Sequence, residues 1–213
     1  MTLSPPAAML ALTLALALSS TPAAAGPPTE QLRDGMERIV KALGAPNTGG
    51  GDEAVQQRQT SVTRIASEVF DFGEMSKRTL GRHWDRRTPT ERQHFTRLFT
   101  ELIQRSYFSK IDEYGSEKTV FRGETMEGDD VVVRTKLVLA HGAEMPLDYS
   151  MHNVTGRWRV YDLSIDGVSL VANYRAQFHK IIRASSYEDL VAKFKSNQAE
   201  SSGPAAAPPG RKP

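Results

Sequence analysis

The chain contains no cysteine. That absence excludes disulfides, thiolate metal ligands, a cysteine nucleophile and a lipobox-type lipid anchor. Strong charge of one sign is also missing: 27 basic residues against 25 acidic ones leave a net charge of +2, too little to steer the chain toward nucleic acid. Beyond Leu18 no apolar run is long enough to cross a bilayer. No glycine loop is built to cradle phosphate, because Gly49-Gly50-Gly51 is not followed by Lys and Ser or Thr. Ser169 sits in Gly167-Val168-Ser169-Leu170-Val171, which lacks the second glycine of a nucleophile elbow. His83, His94, His141, His152 and His179 are scattered without metal-ligand spacing. Asp129-Asp130 reads as turn chemistry. What remains is an ordinary globular mixture, 39% hydrophobic and 24% charged over 213 residues, enough for a real core in one medium domain or two small ones.

The beginning of the chain reads as a signal peptide spanning 1–25. Ala7 to Leu18 is an uncharged apolar run too short to span a membrane as a mature helix. Thr21-Pro22 breaks it, and Ala23-Ala24-Ala25 offers the small residues a signal peptidase reads, so cleavage is expected after Ala25. No Lys or Arg precedes the apolar run, a departure from the usual pattern.

The remainder divides into helices, strands and helices again. Leu32, Met36, Ile39, Val40 and Leu43 predict a helix over Thr29 to Leu43. Asp52 caps a second helix carrying Val55, Val62, Ile65, Ala66 and Val69. Asp71 caps a short one that stops at Leu80-Gly81. Thr88-Pro89-Thr90-Glu91 is a capping box opening a helix that is expected to reach Ile111. Period-two alternation then predicts strands over Lys118–Thr125, Asp130–Ala140, Glu144–Asn153 and Arg157–Ile165, joined by tight turns. Val168–Ala184 and Tyr187–Ser196 return to helix, the second capped by Ser185 or Ser186. From residue 198 Ala, Pro, Gly and Ser dominate, the composition of a disordered tail. This order implies an α+β fold: a four-stranded curved antiparallel sheet packed by helices, in a cystatin or NTF2-like arrangement. A single domain is expected over 26–197, helical at 29–111, sheet at 117–165 and helical again at 167–196.

Three blocks carry a resemblance. The first is Phe70-Asp71-Phe72-Gly73-Glu74-Met75 with Leu80-Gly81 and Trp84. The second runs from Thr88-Pro89 and Glu91-Arg92 through Phe95, Phe99 and Leu102 to Tyr107. The third is Trp158-Arg159-Val160-Tyr161-Asp162 with Gly167-Val168-Ser169-Leu170-Val171, Asn173-Tyr174-Arg175 and Phe178. In order and spacing the chain resembles the MlaC family of lipid-asymmetry and toluene-tolerance transport systems. The resemblance implies a periplasmic, non-enzymatic carrier that needs no nucleotide, metal or other cofactor and holds a glycerophospholipid with its acyl chains inside. It also implies two partners: an outer-membrane lipoprotein/porin complex and an inner-membrane ABC transporter complex with an MCE-domain ring.

Each candidate has a plainer reading beside it. The lining expected for a lipid cavity draws on Phe72, Met75, Leu80 and Trp84, and on Phe95, Leu98, Phe99, Leu102 and Tyr107. Val131, Val133, Leu137, Leu139, Leu147, Tyr149, Trp158 and Val160 supply the sheet face; Val168, Val171, Tyr174 and Phe178 supply the following helix. The stripe alone describes a core equally well. Burying an acyl methylene is worth about 0.8 kcal/mol relative to water, so two chains gain on the order of 20 kcal/mol. A shuttle competes with the bilayer, which favours a lining of hydrocarbon without aimed polar groups. Arg175 and Asp162 are read as head-group contacts or as a structural ion pair. The cluster Lys77, Arg78, Arg82, Arg86, Arg87 and Arg92 is a solvated face or, through Arg82, Arg86 and Arg87, a docking patch for an acidic partner or an anionic membrane surface. Two alternatives stay open: an NTF2-like isomerase or hydrolase with Asp162 or Asp148 as base, and a carrier of another amphiphile such as a sterol, hopanoid or aromatic solvent.

Overall fold

The computed structural model describes residues 26–44, 52–108, 118–139 and 142–199. The expected leader with its cleavage site, the glycine-rich loop at 45–51, the tail from 200, His141 and the side chain of Tyr107 lie outside them.

Helix α1 spans Pro27–Leu43 and begins two residues before the apolar periodicity does, because Pro27 and Pro28 suit a first turn. Its N-cap, Gly26, has no side chain to offer. A carboxylate from the sheet takes that place: Glu124 accepts from the Thr29 backbone N–H at 3.1 Å and from the Thr29 hydroxyl at 2.5 Å. Helix α2 spans Asp52–Val69 and crosses α1 where Gly35 meets Val69. A Cβ on Gly35 would lie 2.4 Å from Val69 Cγ2, so glycine is what lets these helices approach.

Helix α3 spans Phe72–Leu80. As predicted, Asp71 caps it, its Oδ1 accepting from the Glu74 backbone N–H at 3.0 Å. Asp71 also fastens the α2–α3 elbow to the sheet. Its backbone N–H donates to the Val160 carbonyl at 2.8 Å, and its carboxylate faces His152 at 3.2 Å and Arg159 at 3.6 Å. Arg159 in turn donates to the carbonyls of Ser67 at 2.6 Å and Phe70 at 2.8 Å. Gly81, at φ +51°, ends α3 and passes into one 3-10 turn at Gly81–His83.

Helix α4 spans Pro89–Ile103 behind a complete Thr88–Glu91 capping box. It is shorter than expected. Where periodicity suggested continuation to Ile111, the helix widens to a π-helical turn at Gln104–Phe108.

The sheet is a meander in the order β1-β2-β3-β4-β5, all antiparallel. Its strands are β1 Lys118–Glu127, β2 Asp130–Val138, β3 Glu144–Val154, β4 Arg157–Ile165 and β5 Val168–Ser169. The four expected strands are present; the fifth, two residues long, replaces the start of the predicted helix. Helix α5 therefore begins later, at Leu170–Ala184, with the Ser169 hydroxyl accepting from the Ala172 backbone N–H at 2.9 Å. Helix α6 spans Tyr187–Ala199, three residues past the expected end, and is capped by Ser186, which accepts from Asp189 N–H at 3.0 Å.

Strand register aligns the inward residues in rows: Val131 with Met151 and Val160, Val133 with Tyr149 and Leu163, Thr135 with Leu147 and Ile165. A bulge at Tyr161 makes this possible. Trp158 and Val160 share one parity, and Leu163 and Ile165 the opposite one, yet all four belong to one face. Helices α1, α2, α3 and α5 lie against β4, whereas α4 packs on α3 and α6.

Candidate functional site

The interior has two parts of different character. On the helical side, rings pack on rings. Phe95, Phe99, Tyr174, Phe178, Tyr187 and Phe194 form a continuous cluster, with Phe99–Tyr174 at 5.5 Å, Phe95–Phe178 at 5.8 Å and Phe178–Phe194 at 5.4 Å between centroids, all near-perpendicular. The helices at i, i+4 spacing bring these rings together: Phe95 and Phe99 on α4, Tyr174 and Phe178 on α5. Leu98 is buried beside them, and Phe72, Met75, Leu80 and Val171 join the same core, with Trp84 and Leu102 partly covered against it.

On the sheet side the surface is aliphatic. Val131, Val133, Met151 and Val160 are fully buried. Tyr149 is 3% exposed, and burial pushes its hydroxyl up to about 12. The Thr135 hydroxyl donates to the Leu147 carbonyl at 2.8 Å, which satisfies the polar group of that row. Leu147, Trp158 and Leu163 are half-buried against the core. Leu137 and Leu139 differ from all of these. They are half-buried, yet among the described residues neither packs against the core, and with Met145, the partner of Leu137 across β3, they make an apolar end to the sheet.

Several predicted site residues fall elsewhere. Val168 is not interior: it pairs with Ile165 at the sheet edge and is 40% exposed, because β5 occupies the place of a first helical turn. Asp162 and Arg175 do not pair. Asp162 accepts from the backbone N–H groups of Leu163 at 2.8 Å and Val171 at 3.0 Å, and from the Ser169 hydroxyl. It anchors the start of α5, and with three donors on its oxygens it is unsuited to be the base of an isomerase. Arg175 reaches across to α3 and donates to the Arg78 carbonyl at 2.8 Å, a cation on a helix C-terminus.

The six-cation cluster also dissolves. Arg78 pairs with Glu74 at 2.9 Å and lies 3.7 Å over the Tyr161 ring. Lys77 faces Glu74 at 3.5 Å. Arg92 donates to the Trp84 and Asp85 carbonyls at 3.1 and 3.3 Å. Arg87, assigned to docking, is instead held by Glu91 at 3.2 Å and Glu188 at 3.9 Å, over the Tyr187 ring at 4.5 Å. Arg82 and Arg86 remain exposed and without a carboxylate among the described residues.

Two features had no local signal. One is an open cleft of about 720 Å³ between α1, the end of α2 and the β3–β4 hairpin, lined by Gln31, Asp34, Arg38, Glu68 and Trp158 among others. An Arg38–Glu68 pair at 2.6 Å makes its wall charged, so it does not suit a hydrocarbon chain. The other is a histidine pair. His83 Nε2 lies 3.0 Å from His179 Nδ1, although 96 residues separate them in sequence.

Residues 36–196 match the family described as MlaC protein. The toluene tolerance protein ttg2D of Pseudomonas putida is 27% identical over 120 residues, 55% of this chain and 56% of its own length. The intermembrane phospholipid transport system binding protein MlaC of Haemophilus influenzae is 24% identical over 128 residues, 58% of this chain and 60% of its own. The matches thus span less than two thirds of either relative. A phospholipid-binding protein from Ralstonia solanacearum, solved in complex with a phospholipid, superposes with a TM-score of 0.73 at 22% identity, covering 84% of this chain and 100% of that one. At that identity the likeness is one of fold.

Proposed function

The chain belongs to the MlaC family, and from that premise we propose that it is a periplasmic carrier holding the acyl chains of a phospholipid between the inner face of the sheet and α4. The observation that carries this reading is the apolar end of the sheet, where Leu137 and Leu139 are half-buried without joining the packed core of the described residues. Side chains placed so are covered enough to lose water but not filled in by their neighbours, which is what a hydrocarbon chain needs from a wall. Leu147 and Tyr149 continue that wall inward, and in this reading Leu98 and Leu102 are the α4 side chains that face the bound chains. The relatives named for phospholipid transport and the fold shared with a phospholipid-bound protein support the same reading.

In this reading residues 26–197 act as one unit behind a leader removed after Ala25. No helix among the described residues is long and apolar enough to cross a membrane. The carrier breaks no bond and receives or delivers lipid at an outer-membrane lipoprotein/porin complex and an inner-membrane MCE-domain ABC transporter complex. Arg82 and Arg86 are the cations left to meet an acidic partner.

Organic extraction of purified, detergent-free protein followed by mass spectrometry tests the proposal. Co-purifying glycerophospholipid near one lipid per chain is the expected result. Folded protein that yields none, and takes up none from vesicles, sinks it.

A further inference from the structure

The 3-10 turn after α3 and the middle of α5 are joined by three nitrogen-bearing side chains. Arg82 Nη2 lies 2.7 Å from His179 Nε2 and 3.3 Å from His179 Nδ1. His179 Nδ1 lies 3.0 Å from His83 Nε2. A guanidinium only donates, so the nearer nitrogen, His179 Nε2, accepts. The His179 proton is then on Nδ1 and is donated to His83 Nε2, which leaves the His83 proton on its own Nδ1. The chain of bonds runs Arg82 to His179 to His83, and it closes only when both rings are neutral. A proton added at either Nε2 sets N–H against N–H.

The charges around the pair are of one sign. His83 is held below the usual histidine range first by desolvation, then by His179, Arg82, Arg86 and Arg87. His179 is held down in the same way by desolvation, Arg82 and Arg183. From α3 the nearby cations Lys77 and Arg78 share Glu74. In the loop before α4, Arg87 is neutralised by Glu91 and by Glu188 of α6. Arg175 on α5 is spent on the Arg78 carbonyl. Among the described residues Arg82, Arg86 and Arg183 have no carboxylate at all. Three guanidinium groups without a carboxylate partner among the described residues thus add their repulsion to the desolvation that already keeps the two imidazoles neutral.

We propose that Arg82, His83 and His179, with Arg86 and Arg183 at their edge, form a binding site for a tetrahedral oxyanion of the phosphate class, which enters together with a proton. Donors converging from two elements fit a group with three or more acceptor oxygens better than a carboxylate, which a single guanidinium satisfies. The anion offsets the repulsion that adds to desolvation in keeping the rings neutral, and a ring that takes up a proton gains a donor for the anion as it loses its bond to Arg82 or to its partner ring. The site shares Arg82 and Arg86 with the docking surface proposed above, but it needs neither the lipid cavity nor the partner complexes.

The test is a histidine-detected NMR titration of the full chain from pH 8 to 5, in sulfate and in chloride at equal ionic strength. Sulfate keeps one charge state over that range, so changes report the protein. Sulfate is expected to raise the titration midpoints of His83 and His179 while leaving those of His94 and His152 in place. With one proton taken up per anion, affinity strengthens as pH falls, by up to about tenfold per pH unit. R82Q should lose the sulfate effect, and H179Q the pH dependence. Two further arms separate the sources: inorganic phosphate in solution, and vesicles of phosphatidylglycerol against vesicles of phosphatidylcholine. A shift with soluble phosphate identifies a free anion; a shift confined to phosphatidylglycerol vesicles identifies a head group at a lipid surface. Midpoints of both rings that stay the same in sulfate, phosphate and vesicles overturn the proposal.

Discussion

The helical half of the interior is ring packed on ring, and the sheet end is aliphatic and incompletely covered by its neighbours. Phe95, Phe99, Tyr174, Phe178 and Phe194 sit in ring contacts of 5.4 to 6.1 Å, most of them edge to face, which leave rings little room to rearrange. Among the described residues Leu137 and Leu139 are not packed against that core. One apolar composition therefore does two jobs. The rings hold the helices in place, and the aliphatic end is left to meet something else.

The largest effect that separates the halves is expected from Phe99→Ala. Truncating a fully buried ring that touches Phe95, Tyr174 and Phe178 should cost about 3–5 kcal/mol in urea-induced unfolding. Smaller is Leu137→Ala, where a half-buried side chain should cost under about 1 kcal/mol. Leu137→Trp should be equally mild in stability while bound phospholipid falls several-fold by mass spectrometry. A stability loss at Leu137 as large as that at Phe99 would erase the contrast and make the sheet end ordinary core.

The smallest effect is on pH. His83 and His179 are both depressed in the folded chain, so the unfolded chain binds protons more readily. Their contribution is fully present above the unfolded value of about 6.5 and is lost as pH falls below it toward their folded values. Glu91, lowered by its hydrogen bonds to Thr88, and Glu68, lowered by Arg38, act only further down, below the ordinary carboxylate range. Low-salt melting temperatures should decline from about pH 6.5 toward 5, and H179Q should flatten the decline. A wild-type curve flat over that interval would count against neutral rings in the folded chain.

Much of this was legible from local chemistry. Asp71 and Thr88 with Glu91 each announced a helix start, because a cap depends on residues within three positions. Alternation in β2 and β3 placed Val131, Val133 and Tyr149 on the inner face. What escaped depends on partners far along the chain. The bulge at Tyr161 is a property of pairing with β3 and leaves no mark on the β4 pattern itself. The basic cluster looked continuous because Glu188, which quiets Arg87, lies about a hundred positions away. The histidine pair had the same difficulty. The π-helical turn at Gln104–Phe108 interrupted a periodicity that reads as unbroken helix.

The elbow at Phe70–Asp71 bears on how such an interior opens. Backbone bridging to Val160, the Asp71 carboxylate and the two carbonyl contacts of Arg159 rivet α2 and α3 to β4 and its neighbour β3. A rivet is not a pivot. Among the described residues no comparable fastening to the strands holds α4 or α6; rings tie those two helices to α5 and to each other, so parting this interior there means separating ring from ring, whereas parting it at the elbow means breaking hydrogen bonds.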